Sequence, residues 1–277
     1  MRDRLRKPKS KSLPDLHPDP LTTKRHWDQR HHHILPKKTY PDPRFHFLDL
    51  ELDKVFKKHL AGLNGKRLIE VGCGSSLWLP YFKKEFDLDI WGIDYSERGI
   101  EICSKVLEKN RVAGRLIQAD IFDWASGSQG RFHIVFSLGL IEHFNRPSQV
   151  LTLFNTLLSP SGLCMTWVPN TSGLITKLSI LMNKNLKNYY CTLDLNRLEH
   201  EHRSAGFIIE ESTYTQFLDF SLLNLLKLPK FWQRCFSKGF RLFAFPFMFL
   251  EKHLNLHIRS KYLSSGIVIV ARKAAEN

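Results

Sequence analysis

At 277 residues and 43% hydrophobic, the chain can bury a sizeable core in one elaborated domain, which excludes a disordered or fibrous protein. Its cysteines, at positions 73, 103, 164, 191 and 235, are odd in number and scattered without CxxC spacing, which argues against a disulfide framework and suits a reducing compartment. The net charge of +14 favours anionic partners and is uneven: residues 1–44 carry twelve Lys/Arg against five Asp/Glu, and residues 216–262 carry eight against two.

In chain order, residues 1–25 read as a disordered basic tail with no apolar segment of signal-peptide type. Residues 26–62 form an arm. Trp27, Ile34, Leu35, Tyr40, Phe45 and Phe47 sit among His and Pro, and Leu48, Leu52, Val55, Phe56 and Leu60 then recur at helical spacing up to Gly62. The run His31-His32-His33 reads as surface, because adjacent residues converge poorly on one ion and nothing nearby completes a ligand set; no metal is expected.

Residues 63–277 form the main domain. Leu68 to Val71 is an apolar run that ends in Gly72-Cys73-Gly74 and Ser75-Ser76, which predicts a buried strand turning tightly into a helix. A helix N-terminus behind such a turn suits an anionic or nucleotide-like ligand. Strands follow at 89–94, 115–120, 132–137 and 163–168, with helices at about 76–84, 96–110 and 147–158 between them. Alternation of this kind implies right-handed crossovers and a parallel sheet. Asp94 and Asp120 fall at strand carboxyl ends, where ligands bind in open α/β sheets.

Beyond Val168 the pattern loosens. A helix capped by Asp194 leads to a strand at 207–211, and the last strand covers 266–270. Between them lies an insertion, 216–262, in which Phe217, Phe220, Phe231, Trp232, Phe236, Phe240, Phe243, Phe245, Phe247 and Phe249 interleave with Lys and Arg. It reads as an acceptor lid or as a segment lying on an anionic membrane surface. RNA, with aromatics stacking on bases, ranks below both for want of a recognisable RNA-binding appendage. The longest apolar stretch, 242–250, is far too short to span a bilayer, so the expected location is cytoplasmic, at most peripheral to a membrane.

Together these pieces resemble the class I S-adenosylmethionine (SAM)-dependent methyltransferases, in particular the ubiquinone-biosynthesis-like and small-molecule branch. The resemblance rests on Glu70-Val71-Gly72-Cys73-Gly74, Gly92-Ile93-Asp94-Tyr95-Ser96, Ala119-Asp120, Phe136 to Phe144, and Leu157 to Gly162. Ser161 replaces a glycine common in the family, and His133 stands where the family usually has Asp. The resemblance implies a Rossmann-like seven-stranded, mostly parallel sheet with helices on both faces and the last strand antiparallel. It implies SAM as cofactor, with the backbone at Gly72 and Gly74 beside its methionine part, Glu70 accepting from its amino group, and Cys73 and Leu138 also among the cofactor-binding residues. Asp94 would bind the ribose hydroxyls, Tyr95 would cover one adenine face, and Asp120 and Ile121 would meet the adenine amine and ring.

For catalysis, His143 is the candidate general base, because it follows strand four and has a suitable pKa range; orienting a loop is its other reading. Relatives that bind a divalent cation use an acidic residue where this chain has Gly139. Trp27, Tyr40 and Phe45 are candidates for closing over the cofactor. The expected activity is methyl transfer to O or N of a small-molecule metabolite, with a lipophilic acceptor at a membrane surface as the first alternative. Two other classes stay open. A dinucleotide-dependent oxidoreductase lacks its third glycine, because position 77 is Leu77, and a non-catalytic SAM-binding partner protein would look the same in sequence.

Overall fold

Among the described residues, seven strands are interleaved with helices in the order the hydrophobic pattern dictates, and each strand buries both faces or pairs with one that does. The computed structural model describes residues 19–32, 38–220, 223, 239, 242, 245–254 and 258–275. The strands are β1 (Arg67–Val71), β2 (Asp89–Asp94), β3 (Arg115–Gln118), β4 (Phe132–Leu138), β5 (Leu158–Pro169), β6 (Phe207–Phe217) and β7 (Ser264–Lys273). The helices are α1 (Lys24–His32), α2 (Phe47–Leu60), α3 (Trp78–Phe86), α4 (Glu97–Lys109), α5 (Ile121–Trp124), α6 (Pro147–Leu157), α7 (Leu174–Met182) and α8 (Leu195–Ser204).

The sheet order is β3-β2-β1-β4-β5-β7-β6. β1 to β5 pair in parallel, and β7 runs antiparallel between β5 and β6. This is the Rossmann-like sheet the resemblance implies. β6 and β7 are longer than their apolar cores suggest, because they extend as an antiparallel ribbon as far as the pair Phe217 and Ser264. Polar residues such as Thr213 and Thr215 are carried into the ladder by that pairing rather than by their own hydrophobicity.

Alternate residues of the central strands feed two cores, as the pleat requires. Ile69, Val71, Ile93 and Val135 pack with Val150, Phe154 and Leu198 of α6 and α8. Leu68, Ile90, Ile134 and Phe136 pack with Phe56, Trp78 and Phe82 of α2 and α3. Phe56, Phe82, Phe136 and Phe154 are all at most 1% exposed, so truncating any of them to Ala would cost about 3–5 kcal/mol.

The N-terminal segment packs on the domain earlier than position 26. Pro20 bridges antiparallel to Phe144, the Leu21 N–H donates to the His143 carbonyl at 2.8 Å, and α1 begins at Lys24. The insertion returns to the core through charge. Arg259 contacts both oxygens of the buried Glu51 on α2 at 2.8 Å, and Lys54 reaches Glu251 at 3.3 Å. Within the insertion, Phe231, Trp232, Phe236, Phe240 and Phe243 lie outside the described residues.

Candidate active site

The carboxyl ends of β1, β2, β3 and β4 converge on one crevice, and the turn after β1 forms its floor. Gly72 has φ +76°, a conformation that a β-carbon disfavours, and its N–H donates to the Ile93 carbonyl at 2.9 Å. A β-carbon at Gly72 would sit 3.2 Å from Leu140, and one at Gly99 would sit 3.0 Å from the Gly74 backbone. The turn is therefore pressed between the loop after β4 and the start of α4.

Asp94 ties this turn to the end of β2. One carboxylate oxygen accepts from the Gly74 N–H and the other from the Ser96 N–H, both at 2.8 Å. Burial drives its pKa upward, opposed by those two N–H donors. Ser96 caps α4 by accepting from the Gly99 N–H at 3.0 Å, and its hydroxyl donates to Asp28 of α1 at 2.6 Å. Glu70 is 2% exposed, and the Ser76 hydroxyl donates to it at 2.7 Å; burial pushes its carboxyl up to about 8. Cys73 is buried against Cys103, and that hydrogen bond together with burial holds its thiol well above the ordinary range.

A cavity of about 450 Å³ opens beside the crevice, lined by Lys24, Tyr95, Gln118, Ala119 and Asp120. Burial pushes the Tyr95 phenol up to about 12. Asp120 caps α5, accepting from the Phe122 N–H at 2.9 Å, and Ile121 is buried behind it. Leu138 ends β4, just before Gly139, whose N–H donates to the Trp167 carbonyl at 2.8 Å. Lys24 comes from α1 and was invisible to sequence reading, because nothing in the local pattern says that the arm crosses the sheet at this point.

The other half of the site surrounds His143, which is 5% exposed on a short 3-10 turn, Ile141–His143. Its Nδ1 lies 2.7 Å from the Tyr189 carbonyl, and its Nε2 lies 3.8 Å from Glu142. The Trp27 ring meets it edge-on at 5.0 Å, and Tyr190 packs beside it at 5.1 Å. Tyr189 and Tyr190 are contributions that sequence reading missed; they follow α7 in a stretch with no recognisable period.

Of the three aromatics expected to close over the cofactor, the structure brings in Trp27 alone. Tyr40 donates to Glu85 at 2.9 Å and packs on Tyr81, on the flank of α3, and Phe45 is 66% exposed under Arg44. Among the described residues no group of three or more His, Cys, Asp or Glu is placed to hold a metal ion; His33 is outside them.

The comparisons with known proteins bear on the fold and the family. A family model described as a methyltransferase domain matches residues 43–212. The ubiquinone biosynthesis O-methyltransferase of Acinetobacter baylyi is 24% identical over 196 residues, covering 68% of this chain and 78% of the relative. Among solved structures, a Haemonchus contortus phosphoethanolamine N-methyltransferase holding S-adenosylhomocysteine superposes with a TM-score of 0.60 at 15% identity. That likeness covers 91% of this chain but only 60% of the other. Geranyl diphosphate C-methyltransferase from Streptomyces coelicolor superposes at 0.57 with 12% identity, covering 82% of this chain and 80% of that one. Those similar proteins are named for transfer to O, N and C respectively, so the shared sheet leaves the acceptor atom open. With its methyltransferase-domain match extending over more than half its length, this chain belongs to the class I SAM-dependent methyltransferases.

Proposed function

We propose that this enzyme transfers the methyl group of SAM to an O or N atom of a small-molecule metabolite. The observation that carries this reading is the enclosure of His143 beside the cofactor crevice, with Trp27 and Tyr190 as apolar walls. In this reading Gly72, Cys73, Gly74 and Leu138 flank the methionine part of SAM. Glu70 accepts from its amino group, Asp94 takes the ribose hydroxyls, and Tyr95, Asp120, Ile121 and Lys24 surround the adenine. The fit is chemical: an acid at a strand end is a bidentate acceptor, and the glycine turn leaves the backbone approachable.

SAM supplies an activated methyl group, and the protein supplies position and a proton acceptor. With Nδ1–H donating to the Tyr189 carbonyl, the neutral His143 ring carries its lone pair on Nε2. That ring nitrogen takes the proton of an acceptor hydroxyl as the new bond forms, or takes the proton of an acceptor ammonium beforehand so that the amine lone pair can attack. Apolar walls keep water away from both.

A lipophilic acceptor reached from a membrane surface is the second reading, and one feature favours it. Phe245 and Phe249, 60% and 49% exposed, lie one turn apart on the helical residues 245–254, and Leu242 is 76% exposed, in the insertion that carries a strong positive excess. Exposed apolar groups in a basic segment suit an anionic bilayer. Incubation with methyl-labelled SAM and a fractionated cell extract separates the two. Label in aqueous metabolites supports the first reading, label in lipid the second, and label in neither overturns both.

A further inference from the structure

At the opposite end of the strands from the crevice, the amino ends of β1, β4 and β5 border a second cavity of about 200 Å³. Lys66, His59, His133, Ser159, Ser161 and Arg272 line it. β1 alone separates the two ends by roughly 17 Å, at about 3.3 Å per residue over five residues. The cavity exists because β5 leaves the ladder here. Phe132 pairs with Leu158 and Ile134 with Leu163, so residues 159–162 bulge out opposite His133.

The bulge is held in a conformation that its sequence disfavours. Ser161 has φ +58°, and the Arg272 guanidinium pins it by donating to the Ser161 carbonyl at 2.8 Å. Non-glycine residues at positive φ cluster at binding sites, where the surroundings hold them in place. The resemblance to the family marks two departures in this region, Ser161 for glycine and His133 for aspartate. They belong to one cavity. One adds a hydroxyl, and the other replaces an acid with a neutral N–H donor.

The charges around the cavity divide clearly. Glu210 is occupied by Arg272, and Glu211 accepts from Lys58 and His59, each at 2.7 Å. Among the described residues Lys66 makes no ion pair, and the Ser159 and Ser161 hydroxyls make no hydrogen bond. His133 accepts the Arg67 N–H at Nδ1 across 3.2 Å, which leaves its proton on Nε2 as a donor. Lys66 and Arg67 also depress the His133 pKa, behind the larger effect of burial, which reports a positive local field.

We propose that this cavity is a second binding site, for a phosphate group, either inorganic phosphate or the phosphate of a small phosphomonoester. An ammonium, an imidazole N–H and two hydroxyls supply separate donors to an anion with several acceptor oxygens. The volume lies below the roughly 300–1,000 Å³ of pockets for drug-sized ligands, so it takes a small group. Binding there clamps the start of β5 without touching the methyl-transfer residues.

The test is calorimetric titration of the whole chain with inorganic phosphate, and separately with glycerol phosphate, in chloride buffer of matched ionic strength. One site per chain is expected, with affinity falling at least about tenfold in Lys66→Ala and in His133→Asp, the loss of one charge-assisted contact. SAM affinity stays unchanged in both variants. Binding of the ester alone identifies an organic phosphate as ligand, and comparable binding of both identifies free phosphate as sufficient. Affinity unaffected by either substitution would assign the heat to the general basic surface and overturn the site, as would no binding of either probe. Lys66 is exposed, so Lys66→Ala keeps the test intact if His133→Asp does not fold.

Discussion

The Nδ1 of His143 lies 2.7 Å from the carbonyl oxygen of Tyr189, a residue 46 positions later in the chain. A carbonyl accepts and cannot donate, so this contact selects the tautomer in which Nε2 is free of its proton. His143→Gln retains a hydrogen-bonding side chain but loses the basic nitrogen. The expected outcome is kcat lower by roughly 10²–10³ with SAM affinity unchanged, measured by single-turnover kinetics and calorimetry. Equal loss of SAM affinity would make His143 an orienting residue instead.

Asp94 holds both the Gly74 and the Ser96 N–H groups, so Asp94→Asn tests the carboxylate while conserving shape. Hydrogen bonds to a charged group are worth about 1.5–3 kcal/mol each, and loss of that charge should weaken SAM binding by at least about tenfold. Asp94→Ala also unties the turn, and its SAM binding should fall below detection by calorimetry. Wild-type affinity in either variant would remove Asp94 from the cofactor site.

Glu70 makes the stability of the protein pH-dependent in an unusual direction. The folded carboxyl keeps its proton to about 8, whereas the unfolded one loses it near 4.5, so between those values the folded state binds more protons. Its contribution is full below pH 4.5 and is lost as pH rises towards 8, by up to about 1.4 kcal/mol per unit. Burial also raises the Glu51 carboxyl, against the pull of Arg259, so the comparison must be with Glu70→Gln. The stability of wild type relative to Glu70→Gln should decline across this range in urea unfolding. A constant difference would show that Glu70 is already ionised when folded.

Asp19, Pro20 and Leu21 bond to the loop that carries His143, whereas residues 1–18 are a basic, proline-rich stretch by sequence. Deleting residues 1–18 should leave SAM affinity and the melting temperature unchanged. Deleting residues 1–25 removes the Leu21 contact to His143 and the Thr22 hydroxyl that receives the Trp27 indole N–H at 3.0 Å. At about 1 kcal/mol per hydrogen bond, acceptor KM should rise about tenfold or more, which steady-state kinetics would show. Equal kinetics in the two truncations would separate the arm from the site.

The exposed aromatic face of segment 245–254 gives the membrane reading its own test. Met248 and Glu251 of that segment are buried inward, so the double change Phe245→Ser and Phe249→Ser leaves the fold intact. Burying a Phe side chain is worth about 1.5–3 kcal/mol, so co-sedimentation with anionic vesicles should drop at least about tenfold. Vesicle binding that is absent in wild type, or unchanged in the variant, would discard this surface as a membrane contact.

The sequence by itself determined the sheet and the floor of the crevice. Apolar strands ending in glycine or an acid are local patterns: Leu68 to Gly74 and Ile90 to Asp94 carry their own strand, turn and cap. Tertiary structure alone decided what covers that floor. Trp27, Lys24 and Tyr189 come from an arm and a loop without periodicity. The contacts of Trp27 and Tyr189 with His143 set their place, and pairings such as Asp28 with Ser96, which join residues 68 positions apart, hold α1 and its Lys24 there. The same holds at the amino end of the strands, where His133 and Ser161 read as isolated departures until the β5 bulge puts them in one cavity. Local sequence fixes φ, ψ and hydrophobic period, whereas a site assembled from distant segments is written only in their packing.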